Sequence, residues 1–433
     1  MPNEEKICVP APRQSPEKTE LAAGLACLIR FATLMLRSGD AAFRVHEWTA
    51  KLARAMGFEG FAARISLGTM TVTVRRGEDE ITSVAEIAPL GINAFRIGAL
   101  EALARAVKPG TNPGTIAAQL DRIERTKPLH PLLLTAIAVG AASGAFSYLN
   151  DGGPIEIFAS ALAGAAGQSL RSILLGRRIN QYVTTALCAI LASGLYCLVL
   201  ALLGRLGLPA PSHAAGFISS VLFLVPGFPL VAALLDLLQH QTEAAVMRLA
   251  YGVAILLAGA FGLAMVASLA GLTAAPPPFA PESEATRLFF RAIATLAGGC
   301  GFAILYNSSW RTALTVAGLA LIGNELRLGL HDAGMALAPA TLAGAFIVGL
   351  LASFVRDRVS RAGHPCPRIA LTVPGIIIMV PGTFAFQTIV LFDQGEVTAA
   401  LSAAGLGAFV VGAMALGLAA ARFATESGWL FES

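Results

Sequence analysis

The feature that most constrains this chain is where its charge stops. Every lysine lies at or before Lys127, and 31 of the 58 charged side chains fall in the first 130 positions. Beyond them the sequence is a succession of apolar runs, and three of these, 182–203, 335–355 and 397–421, carry no charged residue. A helix needs about 20 mostly apolar residues to cross a bilayer. Within lipid, only a helix or a closed barrel satisfies its own backbone. The expected fold class is therefore an α-helical polytopic membrane protein behind a small N-terminal α/β domain.

Ten spans are expected, near 132–149, 155–175, 182–203, 214–238 and 245–270, then near 288–306, 311–330, 335–355, 369–392 and 397–421. The weakest are 155–175 and 311–330, which hold internal polar residues. The domains follow: a tail over 1–18, an α/β domain over 19–127, a first five-span unit over 128–271, a proline-rich linker over 272–286, a second five-span unit over 287–422, and a tail over 423–433. The first twenty residues lack an apolar core, so no cleavable signal peptide is read and the first domain is expected in the cytoplasm. Arginines then cluster at inner ends (Arg171, Arg177, Arg178, Arg248, Arg311, Arg356, Arg358, Arg361, Arg368 and Arg422), which is the bias that orients an inner-membrane protein. Both termini are expected in the cytoplasm.

In the first domain, helical patterns run over about 19–37 and 41–56, separated by Ser38-Gly39-Asp40. Strands are expected at 61–67, 69–75 and 81–87, because β-branched runs such as Met70-Thr71-Val72-Thr73-Val74 favour a pleated surface. Helices at 91–107 and 113–124 close the domain. Asp40, Arg44 and Glu47 recur on one helical face and read as a salt-bridged surface. The rival reading is a hydrolytic site built from Asp40, Arg44, His46 and Glu47. The six cysteines form no C-x-x-C pair, the histidines show no metal-ligand spacing, and no nucleotide fingerprint occurs. No cofactor or metal is expected, and the arginines at membrane edges need no nucleic-acid partner.

The two membrane units look related. Gly167-Gln168-Ser169-Leu170-Arg171 echoes Gly323-Asn324-Glu325-Leu326-Arg327 at an offset of 156, which Phe146 and Phe302 share. Val225-Pro226-Gly227 echoes Val380-Pro381-Gly382 at an offset of 155. A five-span unit repeated in tandem must enter the bilayer in opposite senses, so the repeats are expected to be inverted. Val-Pro-Gly also occurs at 373–375. Proline removes a helix hydrogen bond and glycine permits unusual dihedrals. Paired helix breaks point to a transporter binding site.

Ionisable residues inside spans are costly and usually functional. Arg171 and Arg327 are candidates to hold a substrate carboxylate, since a guanidinium binds it through two parallel hydrogen bonds. Glu325 and Asp236 are candidate proton carriers. Gln168, Asn324 and Gln387 are neutral hydrogen-bonding candidates, and Pro226, Gly227, Pro381 and Gly382 supply the breaks.

Together these features resemble the threonine/serine exporter family over nearly all of the chain beyond the first twenty residues. The resemblance rests on Arg37-Ser38-Gly39 followed by Phe43-Arg44-Val45, on Val225-Pro226-Gly227-Phe228-Pro229-Leu230 through Asp236, and on Val373-Pro374-Gly375 with Val380-Pro381-Gly382. His46 departs from the glutamate usual in that family. The resemblance implies ten spans, an N-terminal cytoplasmic domain, and export of threonine or serine driven by the proton-motive force. Its partners would be a small amino acid, protons, the lipid bilayer and a second copy in a homo-oligomer. The alternatives are a membrane-anchored enzyme with a hydrolytic domain and an uncoupled channel for small solutes.

Overall fold

The computed structural model describes residues 16–66, 68–87, 91–207, 214–270, 283–361, 366–380 and 382–426. Pro381, Leu67, the two tails apart from residues 16–18 and 423–426, and most of the proline-rich linker lie outside the described residues.

The N-terminal unit packs four helices, α1 (Pro16–Arg37), α2 (Ala42–Ala55), α3 (Ala94–Ala106) and α4 (Pro113–Glu124), with three strands, β1 (Gly60–Ile65), β2 (Thr69–Arg76) and β3 (Asp79–Glu86). The strands form one antiparallel sheet in the order β1-β2-β3, with Ala63 opposite Val72 and Val72 opposite Ser83. Alternation along β2 sends Met70, Val72 and Val74 into the core against Leu28, Phe31 and Met35 of α1, while Thr73 and Thr82 join across the outer face at 2.8 Å. This is the half-buried strand that a period of two produces. The turn between α1 and α2 rests on Gly39, whose φ of +91° only glycine adopts freely.

Twelve further helices follow: α5 (Leu132–Leu149), α6 (Pro154–Gly176), α7 (Gln181–Arg205), α8 (Ala214–Ser219), α9 (Gly227–Leu238), α10 (Thr242–Ala270), α11 (Glu284–Leu305), α12 (Trp310–Asp332), α13 (Leu337–Arg361), α14 (Arg368–Ile376), α15 (Gly382–Asp393) and α16 (Val397–Thr425). Among the described residues, seven are long and apolar enough to cross a membrane, and nine spans result if each bent pair is counted as one. The count thus falls one short of the expected ten, and the difference is α6. That helix forms where expected, but Glu156, Gln168, Ser169 and Arg171 lower its apolarity. It lies against α5 and α7 rather than standing alone in lipid.

Two of the three Val-Pro-Gly segments interrupt a helix. The stretches Ala215–Leu224 and Gly227–Leu238 meet at 62°, and Arg368–Met379 and Gly382–Phe392 meet at 59°. The cause is local. Phe223 would need a donor from Pro226, which has none, and the Gly227 N–H turns instead to Val225 O at 2.8 Å. The same happens at Ile378, with proline at 381 and the Gly382 N–H on Val380 O at 2.8 Å. Pro374, by contrast, is carried inside α14.

The packing of the first five membrane elements recurs in the second five. α5 packs on α6, α6 on α7, α7 on α10 and α9 on α10; likewise α11 on α12, α12 on α13, α13 on α16 and α15 on α16. Between the sets, α5 lies on α11, α9 on α16 and α10 on α15. Equivalent residues meet there. Phe146 and Phe302 stack edge to face at 5.7 Å. A Cβ on Gly227 would lie 3.0 Å from Ile377 and 3.2 Å from Val380, and a Cβ on Gly382 would collide with Leu222. Small residues admit these close crossings, as they do elsewhere in membrane bundles.

Candidate functional site

α6, the first break, α10 and the end of α11 converge beneath the N-terminal unit. They enclose a cavity of about 390 Å³. Its polar lining is Gln168, Arg171 and Ser172 from α6, Gln181 at the start of α7, Arg248 and Tyr251 from α10, and Tyr306 just beyond α11. Phe223, Leu224, Val225 and Pro226 bring the break to the same space, and Gly39, Gly91 and Ile92 of the N-terminal unit form one wall.

The two arginines differ in charge balance. Arg248 is 3% exposed; it donates to the Asp40 carbonyl at 2.7 Å and lies 3.4 Å from the Asp236 carboxylate. Arg171 has no carboxylate within ion-pair distance among the described residues; its electrostatic neighbours are the Tyr306 and Tyr251 phenols and the Cys188 thiol. Beside it Gln168 donates to Ser172 Oγ at 3.1 Å, while its buried Oε1 has no hydrogen-bond partner among the described residues. A cation without a counter-charge, an unused amide oxygen and a broken helix therefore share one cavity. That set can receive a carboxylate and a donor group from one small solute.

The N-terminal unit is fastened around this cavity. The Asp236 carboxylate accepts from the Phe43 N–H at 3.0 Å. It thereby caps α2, whose own N-cap residue Ala41 supplies no side-chain bond. Ala94 N–H donates to Tyr306 O at 2.9 Å, Asn307 Nδ2 donates to Asn93 Oδ1 at 2.9 Å, and Arg422 sits over the Phe43 ring at 5.2 Å. Segments 236–248, 306–309 and the end of α16 therefore all face the N-terminal unit.

Within that unit the expected salt-bridged face is present in part. Arg44 reaches Asp40 and Glu101, both at 2.7 Å, and Arg105 closes on Glu101 at 2.6 Å. Burial lifts the pKa of Asp40, against the pull of Arg44. Burial would also lift that of Glu101, but Arg44, then Arg105, outweigh it and hold Glu101 below the ordinary glutamate range. Glu47 is exposed, and His46 lies against Phe61 at 5.5 Å. Asp40 and Arg44 are thus spent on each other. Among the described residues no three His, Cys, Asp or Glu gather to hold a metal.

The remaining candidates lie elsewhere. Arg327 donates from Nε to Thr341 Oγ at 3.1 Å and from Nη1 to Asn324 Oδ1 at 3.2 Å, and Asn324 donates to Thr295 at 3.0 Å. Glu325 lies 3.5 Å from Arg291, which also binds Asp332 at 2.7 Å. Gln387 is exposed on α15, and Gly382 packs on Leu222. Gln168, Arg171 and Pro226 therefore share a cavity, whereas Asn324, Glu325 and Arg327 form a separate cluster. Tyr251, Tyr306 and the Gly39, Gly91 and Ile92 wall were not among the expected site residues. No motif marks them, and only the docking of the N-terminal unit brings them in.

Two family models match the chain: "Putative threonine/serine exporter" over residues 26–270 and "Threonine/Serine exporter, ThrE" over residues 288–424. Among curated proteins, the "Probable succinate transporter subunit YjjP" of Klebsiella aerogenes is 26% identical over 257 residues, covering 59% of this chain and 97% of that protein. Its namesake from Escherichia coli K12 is 26% identical over 245 residues, covering 56% and 93%. No solved structure matches.

Proposed function

The chain belongs to the threonine/serine exporter family, and from that premise we propose that it is a secondary transporter that exports small neutral amino acids of the threonine/serine class. The observation that carries this reading is Arg171, a guanidinium without a carboxylate partner in the cavity at the first helix break. The substrate carboxylate binds Arg171 in the bidentate manner. Its ammonium and hydroxyl donors use Gln168 Oε1 and backbone carbonyls that the break leaves without helical donors. No nucleotide-binding motif occurs in the sequence, so the proposed energy source is an ion gradient or a partner, with protons as the proposed coupling ion. The protein sits in the inner membrane with the N-terminal unit and both termini in the cytoplasm, which the arginine bias supports.

The two five-helix sets are proposed to be inverted repeats. Reciprocal contacts support this: α9 with α16 against α10 with α15, and Gly227 on Ile377 against Gly382 on Leu222. A second reading, a four-carbon dicarboxylate, draws on the name of the two relatives and on Arg248 as a second guanidinium in the cavity. Asp236 already balances Arg248, so the monocarboxylate is favoured.

The test is counterflow in proteoliposomes with labelled threonine, serine and succinate, for the wild type and Arg171→Gln. Threonine or serine exchange that Arg171→Gln reduces at least tenfold is expected. Exchange of succinate alone would replace the amino acid by the dicarboxylate. Undiminished exchange in Arg171→Gln would remove the site from this cavity.

A further inference from the structure

We infer that the Arg327 cluster is a second carboxylate-binding site, on the membrane face opposite the N-terminal unit, closed in this conformation and opened when the two halves exchange shapes. This rests on the transporter reading above and on the inverted relation of the halves.

Position comes first. Arg171 lies five residues before the end of α6, and Arg327 five before the end of α12. α6 delivers Arg171 to the cavity walled by the N-terminal unit. α12 starts at Trp310, immediately after the 306–309 segment that binds that unit. At a rise of about 1.5 Å per residue, Arg327 then lies about 25 Å along the helix from that face. Equivalent residues in the two halves thus stand at opposite ends of the bundle.

Chemistry comes second. The Arg327 guanidinium is engaged by Thr341 and Asn324, both neutral, and among the described residues no carboxylate pairs with it. Arg287 and Arg291 meet Glu325, Asp332 and, for Arg287, Asp151, whereas the charged neighbour of Arg327 is another cation, Arg291. Arg327 is left without a counter-charge of its own among the described residues. Arg291, 7% exposed, keeps Nε and Nη2 without hydrogen-bond partners, and Glu325 Oε1 is likewise buried and unpartnered. Arg327 is half-buried, and a cation drawn out of water without a counter-charge is costly within a membrane bundle. Anchoring Thr341 to Asn324 would not require it, since a glutamine could do the same. A visiting carboxylate accounts for the cation, and it is the ligand that the equivalent Arg171 receives.

The hinge comes third. The two breaks bend by nearly equal angles, 62° and 59°, and interlock through Gly227 and Gly382. Exchange of the two shapes about this contact would close the cavity at Arg171 and open one at Arg327, beside Asn324 and the second break.

Thiol labelling tests this in the full-length protein, with native cysteines replaced, in vesicles of either orientation. Ser172→Cys and Leu328→Cys occupy equivalent positions at the offset of 156. Leu328→Cys should react with an impermeant reagent only from the face opposite the N-terminal unit and only during turnover. Threonine on that face, with succinate as a second probe, should protect it. Added Arg327→Gln should raise the protecting concentration there at least tenfold, leaving near-face protection of Ser172→Cys unchanged. No far-face labelling of Leu328→Cys, unchanged far-face protection in Arg327→Gln, or equal weakening at both faces would overturn the inference. Loss of near-face protection failing to follow Arg171→Gln would instead refute the first cavity, and leaves the far-face result to be judged alone.

Discussion

Asp236→Asn tests whether the N-terminal unit is held by the pair it makes with Arg248. Both partners are almost fully buried, at 0% and 3% exposure. The asparagine keeps an oxygen for the Phe43 N–H, so most of the α2 cap, worth about 1 kcal/mol, survives. What disappears is the counter-charge 3.4 Å from Arg248, leaving a buried guanidinium whose remaining partner is the Asp40 carbonyl. Breaking a buried pair from one side costs about 3–5 kcal/mol. At about 1.4 kcal/mol per tenfold, the docked state loses two to three and a half powers of ten. Hydrogen exchange in nanodiscs reads this directly. The Phe43 and Ala94 amides, which bond to Asp236 and Tyr306, should exchange at least a hundredfold faster, while β2 amides keep their protection. Adding Arg248→Met removes the stranded charge and should recover most of the loss, since an apolar replacement of a buried pair is often neutral. Unchanged protection at Ala94 in Asp236→Asn would refute the docking argument.

Three further outcomes are expected. Glu101, held by Arg44 and Arg105 below the ordinary glutamate range, stabilises the N-terminal unit above its unfolded pKa; that contribution is lost as pH falls through the lowered folded value. Glu101→Gln should therefore flatten the acid limb of the thermal midpoint measured against pH, with Asp40, shifted upward by burial, acting in the opposite sense. Gly382→Ala places a methyl onto Leu222 and should cost about 1–3 kcal/mol by overpacking; melting should show the loss, and Leu222→Ala in the same chain should return part of it. Glu325→Gln keeps shape and hydrogen bonding, so export against a gradient should fall while exchange of labelled for unlabelled substrate survives; uphill export at the normal rate would make Glu325 structural.

Much of the fold was legible because single-residue rules decide it. Apolar runs place the helices, the β-branched stretch at 70–74 places β2, and prolines at 226 and 381 place the breaks. Pro374 shows the limit. The same tripeptide breaks the chain at 225–227 and is tolerated at 373–375, because neighbouring helices bury that turn of α14. Of the two weakest spans, 311–330 is apolar enough to cross and α6 is not, for a physical reason: a helix flanked by α5 and α7 can carry polar groups that lipid would reject. The site was legible only by halves. An offset of 156 links Arg171 to Arg327, but it does not say that the two lie in different places. Nor does any local signal tie Asp236 to Phe43, 193 positions away.

The differences between the halves matter as much as the likeness. Two identical halves exchanging shapes would present the same side chains to substrate on either face. Here the halves match where shape is concerned, at Phe146 and Phe302, Gly227 and Gly382, Arg171 and Arg327. They differ in titratable groups: Ser169 stands where the second half has Glu325, Thr135 where it has Arg291, and Gly176 where it has Asp332. The first cavity therefore offers Arg171 with neutral partners beside an Arg248 already balanced by Asp236, while the second cluster places acids and arginines in contact next to Arg327. A ligand carboxylate arriving at Arg327 alters the field on Glu325 through Arg291, whose charge Glu325 and Asp332 share. With Glu325 as the expected proton carrier, substrate and proton occupancy would be linked at this cluster, and the imposed gradients would set the direction of net transport.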